Sequence, residues 1–521
     1  MGSKFTRQRF LTAVGASATY LALANTVGCE LAKRSPKNRP TTTSQPAQPE
    51  GAVTYGSPPS TKRGVWAFRS RPDLSPPAVE IAKEARDDIA PGYIFVAPKK
   101  GDAGQGGSMI LDNDGQPVWL HLLQNEDLDM MNFRAQTYKG ETVLTWWEGY
   151  YTGHGQREYV IFDGSYREIA RFTAAEGYNG DHHEFLISPQ DTALIAIYEA
   201  VPWDLSYIGG ARRGVVWQGI VQELDIETGE VLFEWRSIDH VALEETYVTP
   251  LQDGRPGIDY FHINSIDVDH DDNLLVSARE TSTVYKIDRN SGEVIWRLGG
   301  KQSDFEMGPG TRFAFQHDAR RLPDGTISIF DNGSLVFENG TPKAIEESRG
   351  IVLGLDERKM KATLVREYTH PDKQYADAAG NMQVLPNGNV FVGWGRALAI
   401  SEFSEDGEML FDATLLRTNE SYRDFRFSWS ARPSDQPAAV AERVSEEEVR
   451  VYVSWNGATE VATWAVLAGR RQGRLKSLGE VPRNGFETAM VVRTSDPYVA
   501  VRAKDRSGRV LGTSKVLRPR S

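Results

Sequence analysis

The chain has 521 residues, enough for more than one domain, with 40% hydrophobic and 25% charged residues, the make-up of an ordinary folded protein. A formal charge of -12 excludes the basic character of a general nucleic-acid binder, though a local basic pocket can still sit in an acidic protein. The one cysteine, Cys29, excludes an intramolecular disulfide and any cysteine-based metal site.

In chain order, the first element is an export signal at residues 1–29. Lys4, Arg7 and Arg9 precede an apolar stretch from Phe10 to Gly28 that ends in small residues, too short for a preferred membrane span. Thr6-Arg7-Gln8-Arg9-Phe10-Leu11 resembles a degenerate twin-arginine signal, and the general secretory route fits equally well. Thr26-Val27-Gly28-Cys29 resembles a bacterial lipobox, with Thr26 where Leu is usual. It makes Cys29 a candidate for lipidation, the plain alternative being an incidental cysteine in a discarded peptide. An exported protein, secreted or anchored at the cell surface, is expected, with a lipid on Cys29 as its only membrane contact. Residues 30–62 are rich in Pro, Thr, Ser and Gln and read as a disordered tether. A short helix is expected near Pro77 to Asp88.

An internal repeat follows. An apolar strand, an Asp, a turn and a second strand recur at Ile110–Trp119, Ile161–Gly164, Glu223–Leu232, Lys286–Trp296, Gly354–Asp356 and Glu402–Glu408. A second element alternates with it, two strands joined by a turn such as Pro323-Asp324-Gly325 or Pro386-Asn387-Gly388. Asp-Gly and Asn-Gly between apolar runs are strong hairpin signals. Two hairpins per unit make four strands. Six units over residues 63–425 fit a six-bladed β-propeller, with a sandwich array or β-helix as the competing all-β reading. Residues 426–521 change character. Alternating stretches at Glu446–Trp455, Thr459–Leu467, Glu487–Val492 and Tyr498–Ala503 predict a fibronectin-III-like β-sandwich at the C-terminus.

The histidines follow the repeat. His182 and His183 open the second-element strand of one unit, His262 that of the next, and His317 that of the one after. Equivalent inner-strand ends meet at a propeller's axis, so His183, His262 and His317 are expected to converge. Asn264 lies two residues after His262, on the same strand face, and Arg279 ends the paired strand. An arginine offers an oxyanion a fixed charge and a planar fork of donors, and histidine serves as nucleophile, acid or base near neutral pH. Three histidines also suit zinc, but the adjacent arginine would repel a dication, so no metal is expected. Trp146, Trp147 and Trp394 are candidates for stacking on an aromatic substrate, with core packing as the alternative. Asp271 and Asp272 fit a turn as well as they fit calcium.

Phe261-His262-Ile263-Asn264-Ser265-Ile266, Ser277-Ala278-Arg279, Trp296-Arg297-Leu298-Gly299-Gly300 and Phe315-Gln316-His317-Asp318-Ala319-Arg320 resemble the arylsulfotransferase family, in its fungal and actinobacterial branch. Phe330-Asp331-Asn332-Gly333, Ser348-Arg349-Gly350 and Gly380-Asn381-Met382-Gln383 continue the match over roughly residues 65 to 425. The resemblance implies transfer of a sulfuryl group from an aryl sulfate to a phenol without the nucleotide donor PAPS and without a cofactor. It makes His317 the nucleophile that becomes a sulfohistidine. It assigns Arg279, His262 and Asn264 to the sulfuryl oxygens, and His183, or less readily His182, to proton transfer with the phenols. The partners implied are small aromatic donors and acceptors, with no nucleic acid. The well-studied bacterial members carry an N-terminal sandwich and a disulfide, whereas here the extra sandwich is expected at the C-terminus and Cys29 has no partner. A hydrolase or lyase acting on aromatic compounds, or an anchored propeller that only binds its ligand, remains open on the same residues.

Overall fold

The computed structural model describes residues 53–521 apart from 102–103, 126, 152–156, 251–256, 334, 339–340, 345 and 416–418. The expected export signal, Cys29 and most of the tether lie outside the described residues. Within them the chain is almost entirely strand, and its longest helix is the single turn Ser237–His240.

Six sheets are built on antiparallel meanders, and two of them gain a short parallel strand, Gly257–Asp259 and Glu306–Met307. Each hairpin closes as its turn chemistry dictates. At Leu322–Thr326 the Gly325 N–H donates to the Leu322 carbonyl, while Asp324 accepts from the Thr326 N–H and hydroxyl. Gly325 stands at φ 87°, a conformation that glycine adopts without a steric penalty. Leu385–Asn389 repeats the pattern, with Gly388 at φ 90°.

The first strand of each meander is its innermost. Asp129–Tyr138, Gly180–Ile187, Ile263–Val268, His317–Arg321 and Asn381–Val384 follow one another side by side. Side chains of one inner strand hydrogen-bond the backbone of the next. Gln136 takes the Ile187 N–H and donates to the Phe185 carbonyl. Ser265 accepts from the Ala319 N–H. Asn381 and Gln383 each make a donor and an acceptor bond to Asp424 and Arg426. The sixth sheet closes the series, because Phe425–Phe427 from the far end of the chain pairs antiparallel with Tyr93–Val96. The pairing covers the edge of Tyr93–Val96.

Two further four-stranded sheets follow. Val53–Tyr55, Glu487–Arg493, Glu448–Ser454 and Ala438–Ser445 form one, and Lys476–Pro482, Thr463–Gly469, Tyr498–Lys504 and Val510–Thr513 the other. They share an apolar core that includes Val451, Trp464, Met490 and Val501, all buried. The Asn456 side chain pairs with both the N–H and the carbonyl of Leu120, and Tyr166 donates to the Gly457 carbonyl, tying these sheets to the meanders.

Three expectations change. The helix near Pro77 to Asp88 is instead the strand Glu80–Lys83, paired with Met409–Thr414 at a sheet's outer edge. Its alternating exposure suits a half-covered edge, and the partner strand decides what local propensity left open. The tether ends earlier than residue 62, since Val53–Tyr55 is recruited into a sheet by Met490–Val492. The boundary at residue 426 cuts the closing strand Phe425–Phe427, and the next strand starts at Ala438.

Candidate active site

The N-terminal ends of the inner strands carry the histidines, and each of these ends is irregular. The strand register shifts between Gly180 and Phe185, between Ile263 and Ser265, and between His317 and Arg320. Such bulges bend a strand and re-aim its side chains. His262 stands at φ 61°, and Phe315 and Asp318, which flank His317, at φ 53° and 54°. Non-glycine residues rarely hold this conformation, which concentrates at functional sites.

The result is a pocket of about 220 Å³ lined by His182, His183, His262, Arg279, His317 and Tyr422, with Lys99, Tyr151, Arg396 and Glu420 also on its wall. The repeat-equivalent histidines therefore converge as expected. The rings of His183 and His262 are 4.7 Å apart, and Tyr422 faces His183 at 5.3 Å and His317 at 6.2 Å. Larger cavities exist. One of about 730 Å³ opens at the other ends of the inner strands, and one of about 810 Å³ lies between the first sheet and the C-terminal sheets. Neither contains a histidine, so chemistry rather than size selects the site.

Each histidine is oriented from behind. His183 Nδ1 pairs with Asp181, which also accepts the His183 N–H. Burial lowers the His183 pKa, and the Asp181 charge and hydrogen bond partly restore it. His262 Nδ1 is 2.6 Å from Asp259. Burial works against its charged form too, but there Asp259 wins and the pKa is raised. His317 Nδ1 lies 2.7 Å from Asn332 Oδ1, and its Nε2 accepts the Ala379 N–H at 3.2 Å. Burial and the nearby Arg279 charge hold His317 well below the usual histidine range, so it is neutral at pH 7. His182 is also held well below by burial, and its ring sits 4.0 Å from that of His183.

Arg279 is 4% exposed. Its backbone N–H donates to the His262 carbonyl. Its guanidinium pairs with Glu280, donates to the Asp377 carbonyl at 3.1 Å and lies 5.2 Å from the centre of the Phe315 ring. The fork is thus set before any ligand arrives. Beneath the pocket, fully buried Glu184 pairs with Arg134, Arg320 and Arg423, and Asp318 shares Arg320. These arginines hold the Glu184 carboxyl far below its usual range against the opposing effect of burial. The cluster ties together the strands Asp129–Tyr138, Gly180–Ile187 and His317–Arg321.

Some expected site residues stand elsewhere. Asn264 is fully buried behind the pocket wall, and its amide donates to the Gln316 carbonyl. Trp146 and Trp394 are fully buried in separate apolar clusters. Trp146 packs edge-on to Phe162 at 4.7 Å, while Trp394 Nε1 donates to Ser401 Oγ at 2.9 Å and its ring meets Phe330. Neither lines the pocket: Trp146 lies on the strand Glu141–Gly149 with its ring in the apolar core, and Trp394 just past the strand Val390–Gly393, at the start of the turn Gly395–Ala397. Trp147 is likewise core, its edge against His182. The aromatic lining is Tyr151 and Tyr422, neither of which lies in a repeated motif. Asp181, Asp259, Glu280 and Asn332 were also missed as partners. Only Asp181, two residues before His183, carries a local signal, that of an Asx turn.

Of the other described histidines, His240 stacks on Trp235, His370 pairs with Asp412, His121 packs among Trp119, Trp146 and Phe162, and His270 is exposed in a turn. Asp271 and Asp272 pair with Lys286 and Arg289. Asp181, His182 and His183 stand close enough to share a cation, but Asp181 is committed to His183, and Arg279 shares the pocket.

A family model described as arylsulfotransferase (ASST) matches residues 134–415, more than half of the chain. No curated protein matches. Among solved structures, a protein of unknown function from Bacteroides caccae is 16% identical with a TM-score of 0.38, covering 65% of this chain and 100% of its own. A catalytically inactive virginiamycin B lyase from Staphylococcus aureus, crystallised with quinupristin, is 7% identical with a TM-score of 0.33, covering 80% and 99%. These likenesses are too loose to carry an argument. The family match spans the strands that supply His183, His262, Arg279 and His317, and on it the chain belongs to the arylsulfotransferase family.

Proposed function

We propose that this protein is a six-bladed β-propeller enzyme, with a fibronectin-III-like sandwich at its C-terminus, that moves a sulfuryl group from an aryl sulfate to a phenol without PAPS. The observation that carries the reading is the pocket shared by His183, His262, Arg279 and His317. His317 is the nucleophile. Its ring is neutral and so keeps a lone pair, held at rest by the long bond from the Ala379 N–H. Arg279 places positive charge, and His262, oriented by Asp259, a hydrogen-bond donor, where the three sulfuryl oxygens gather charge in the transition state. His183, protonated when the anionic sulfate ester is bound beside it, gives its proton to the departing phenolate. A phenol has a pKa of about 10, so an acid eases its loss. In the second half-reaction the same imidazole takes the acceptor's proton. Two half-reactions through one covalent intermediate give ping-pong kinetics. Tyr422 and Tyr151 supply aromatic faces for the rings of donor and acceptor. The enzyme works outside the cytoplasmic membrane, on a lipid anchor at Cys29 or in secreted form.

The test is intact-protein mass spectrometry after mixing with an aryl sulfate and no acceptor, beside His317→Ala. The expected result is one added sulfuryl group, absent from the variant and discharged by a phenol. No adduct and no phenol release across several aryl sulfates refutes sulfotransfer.

A further inference from the structure

The three histidines present Nδ1 to unlike partners. His183 and His262 each face a carboxylate, Asp181 and Asp259, whereas His317 faces a carboxamide, Asn332. We propose that Asn332 is a positioning residue that locks His317 in the tautomer protonated on Nδ1, and so makes Nε2 the nitrogen that accepts the sulfuryl group. The chemical half of this rests on the sulfotransfer reading. The tautomer does not.

The orientation of the Asn332 amide is over-determined. The residue is fully buried, and its Nδ2 donates to the Ala376 and Ala379 carbonyls, both at 3.0 Å. Both N–H donors are spent there. Turning the amide over would set its oxygen against two carbonyl oxygens. Oδ1 therefore faces His317, and since an amide oxygen only accepts, the proton in that 2.7 Å bond belongs to Nδ1. The backbone around it is held as well, with Ser348 Oγ donating to the Asn332 carbonyl and accepting the Ala376 N–H. What remains to His317 is the Nε2 lone pair. It meets only the long bond from the Ala379 N–H, on the pocket wall, where an arriving sulfuryl group displaces it.

The partner type divides the labour. A carboxylate favours the imidazolium, as suits a proton donor or a cationic clamp. A neutral amide orients the ring while adding too little basicity to offset burial and Arg279, as suits a nucleophile that must not be protonated. In the step, the Nε2 lone pair forms the N–S bond and the S–O(aryl) bond breaks. The electron pair leaves on the phenolate oxygen, which takes the proton of His183. Nδ1 keeps its proton, so the sulfohistidine is held as an imidazolium hydrogen-bonded to Asn332. In the return step, the acceptor oxygen loses its proton to His183, bonds sulfur, and the N–S pair returns to Nε2.

Two measurements on the full chain test this. The first is 15N NMR of histidine-labelled protein, with the His317 signals assigned by their loss in His317→Ala. The expected resting state is neutral with the proton on Nδ1, and the expected adduct, formed with an aryl sulfate, is on Nε2. A proton on Nε2, or a sulfuryl group on Nδ1, overturns the proposal. The second is the pH profile of single-turnover phenol release. In Asn332→Asp the acidic limb should move up by at least about one pH unit, because a carboxylate at Nδ1 makes Nε2 basic, with much of the rate recovered on the alkaline plateau. In Asn332→Leu the rate should fall at least about tenfold at every pH, as when a supporting partner of a histidine is removed. An unmoved limb in Asn332→Asp overturns the proposal. If the unmodified protein forms no adduct, sulfotransfer fails, and the resting tautomer still decides the role of Asn332. The same spectrum decides if the Asn332 variants do not fold.

Discussion

Replacing Arg279 by glutamine removes the fixed charge that the proposed mechanism sets against the transferring group, while keeping some of the side chain's length. In the native site the guanidinium is held by Glu280, by the Asp377 carbonyl and by the Phe315 ring, so its ordering cost is met during folding. Losing one preorganised donor of this kind costs about 100- to 1,000-fold in kcat, or about 2.7–4 kcal/mol. The same change leaves the Glu280 carboxylate, 5% exposed, without its cation. Breaking a buried pair costs about 3–5 kcal/mol of stability, reduced here because burial already raises the Glu280 pKa and the acid can take up a proton. The two losses separate in the double variant Arg279→Gln/Glu280→Gln, which has no unpaired charge. Its melting temperature should recover most of the single variant's deficit, while its kcat and kcat/KM stay low together, as expected for an interaction made in the transition state. The assay is stopped-flow release of a chromogenic phenol, beside calorimetry of the three proteins. A folded double variant with kcat within about threefold of native, or a loss confined to KM, refutes the role given to Arg279.

Glu184→Gln leaves Arg134, Arg320 and Arg423 facing a neutral group and should cost about 3–5 kcal/mol, read as a fall in melting temperature at pH 7. Because the folded-state pKa of Glu184 is depressed, its contribution is fully present above the unfolded value of about 4.3 and is lost as pH falls. The gap between native and variant melting temperatures should therefore narrow in acid, and a gap that widens contradicts the assignment. Trp146→Ala should destabilise by about 3–5 kcal/mol, as for other buried aromatic truncations, with KM for donor and acceptor unchanged in the folded fraction. A selective rise in KM would return Trp146 to the substrate site.

Much of the site was legible because propeller-like repetition is a local signal. Asp163, Asp225 and Asp288 each cap their own turn by accepting N–H groups two and more residues on, so the turns announce themselves in any sequence window. His183, His262 and His317 share a place in the repeat, and symmetry predicted their meeting before any distance was known. The tryptophans were misplaced because hydrophobicity does not say which side of a strand faces the axis. Tyr422 was missed because it lies outside the repeat, just before the strand that closes the ring of sheets.

By itself the sequence determined the all-β class, the alternation of hairpins, the strands of the C-terminal sheets and the four residues His183, His262, Arg279 and His317, since turn chemistry, strand period and repeat position act over a few residues. The tertiary structure alone decided that Glu80–Lys83 is a strand, since its partner is Met409–Thr414. It alone set Asn332 against His317 across the paired strands, and gathered Glu184, Arg134, Arg320 and Arg423 at the axis. A histidine's place in the chain is written locally. Its charge comes from neighbours that only the tertiary structure delivers, since burial lowers the pKa of His183 and His317 while Asp259 raises that of His262.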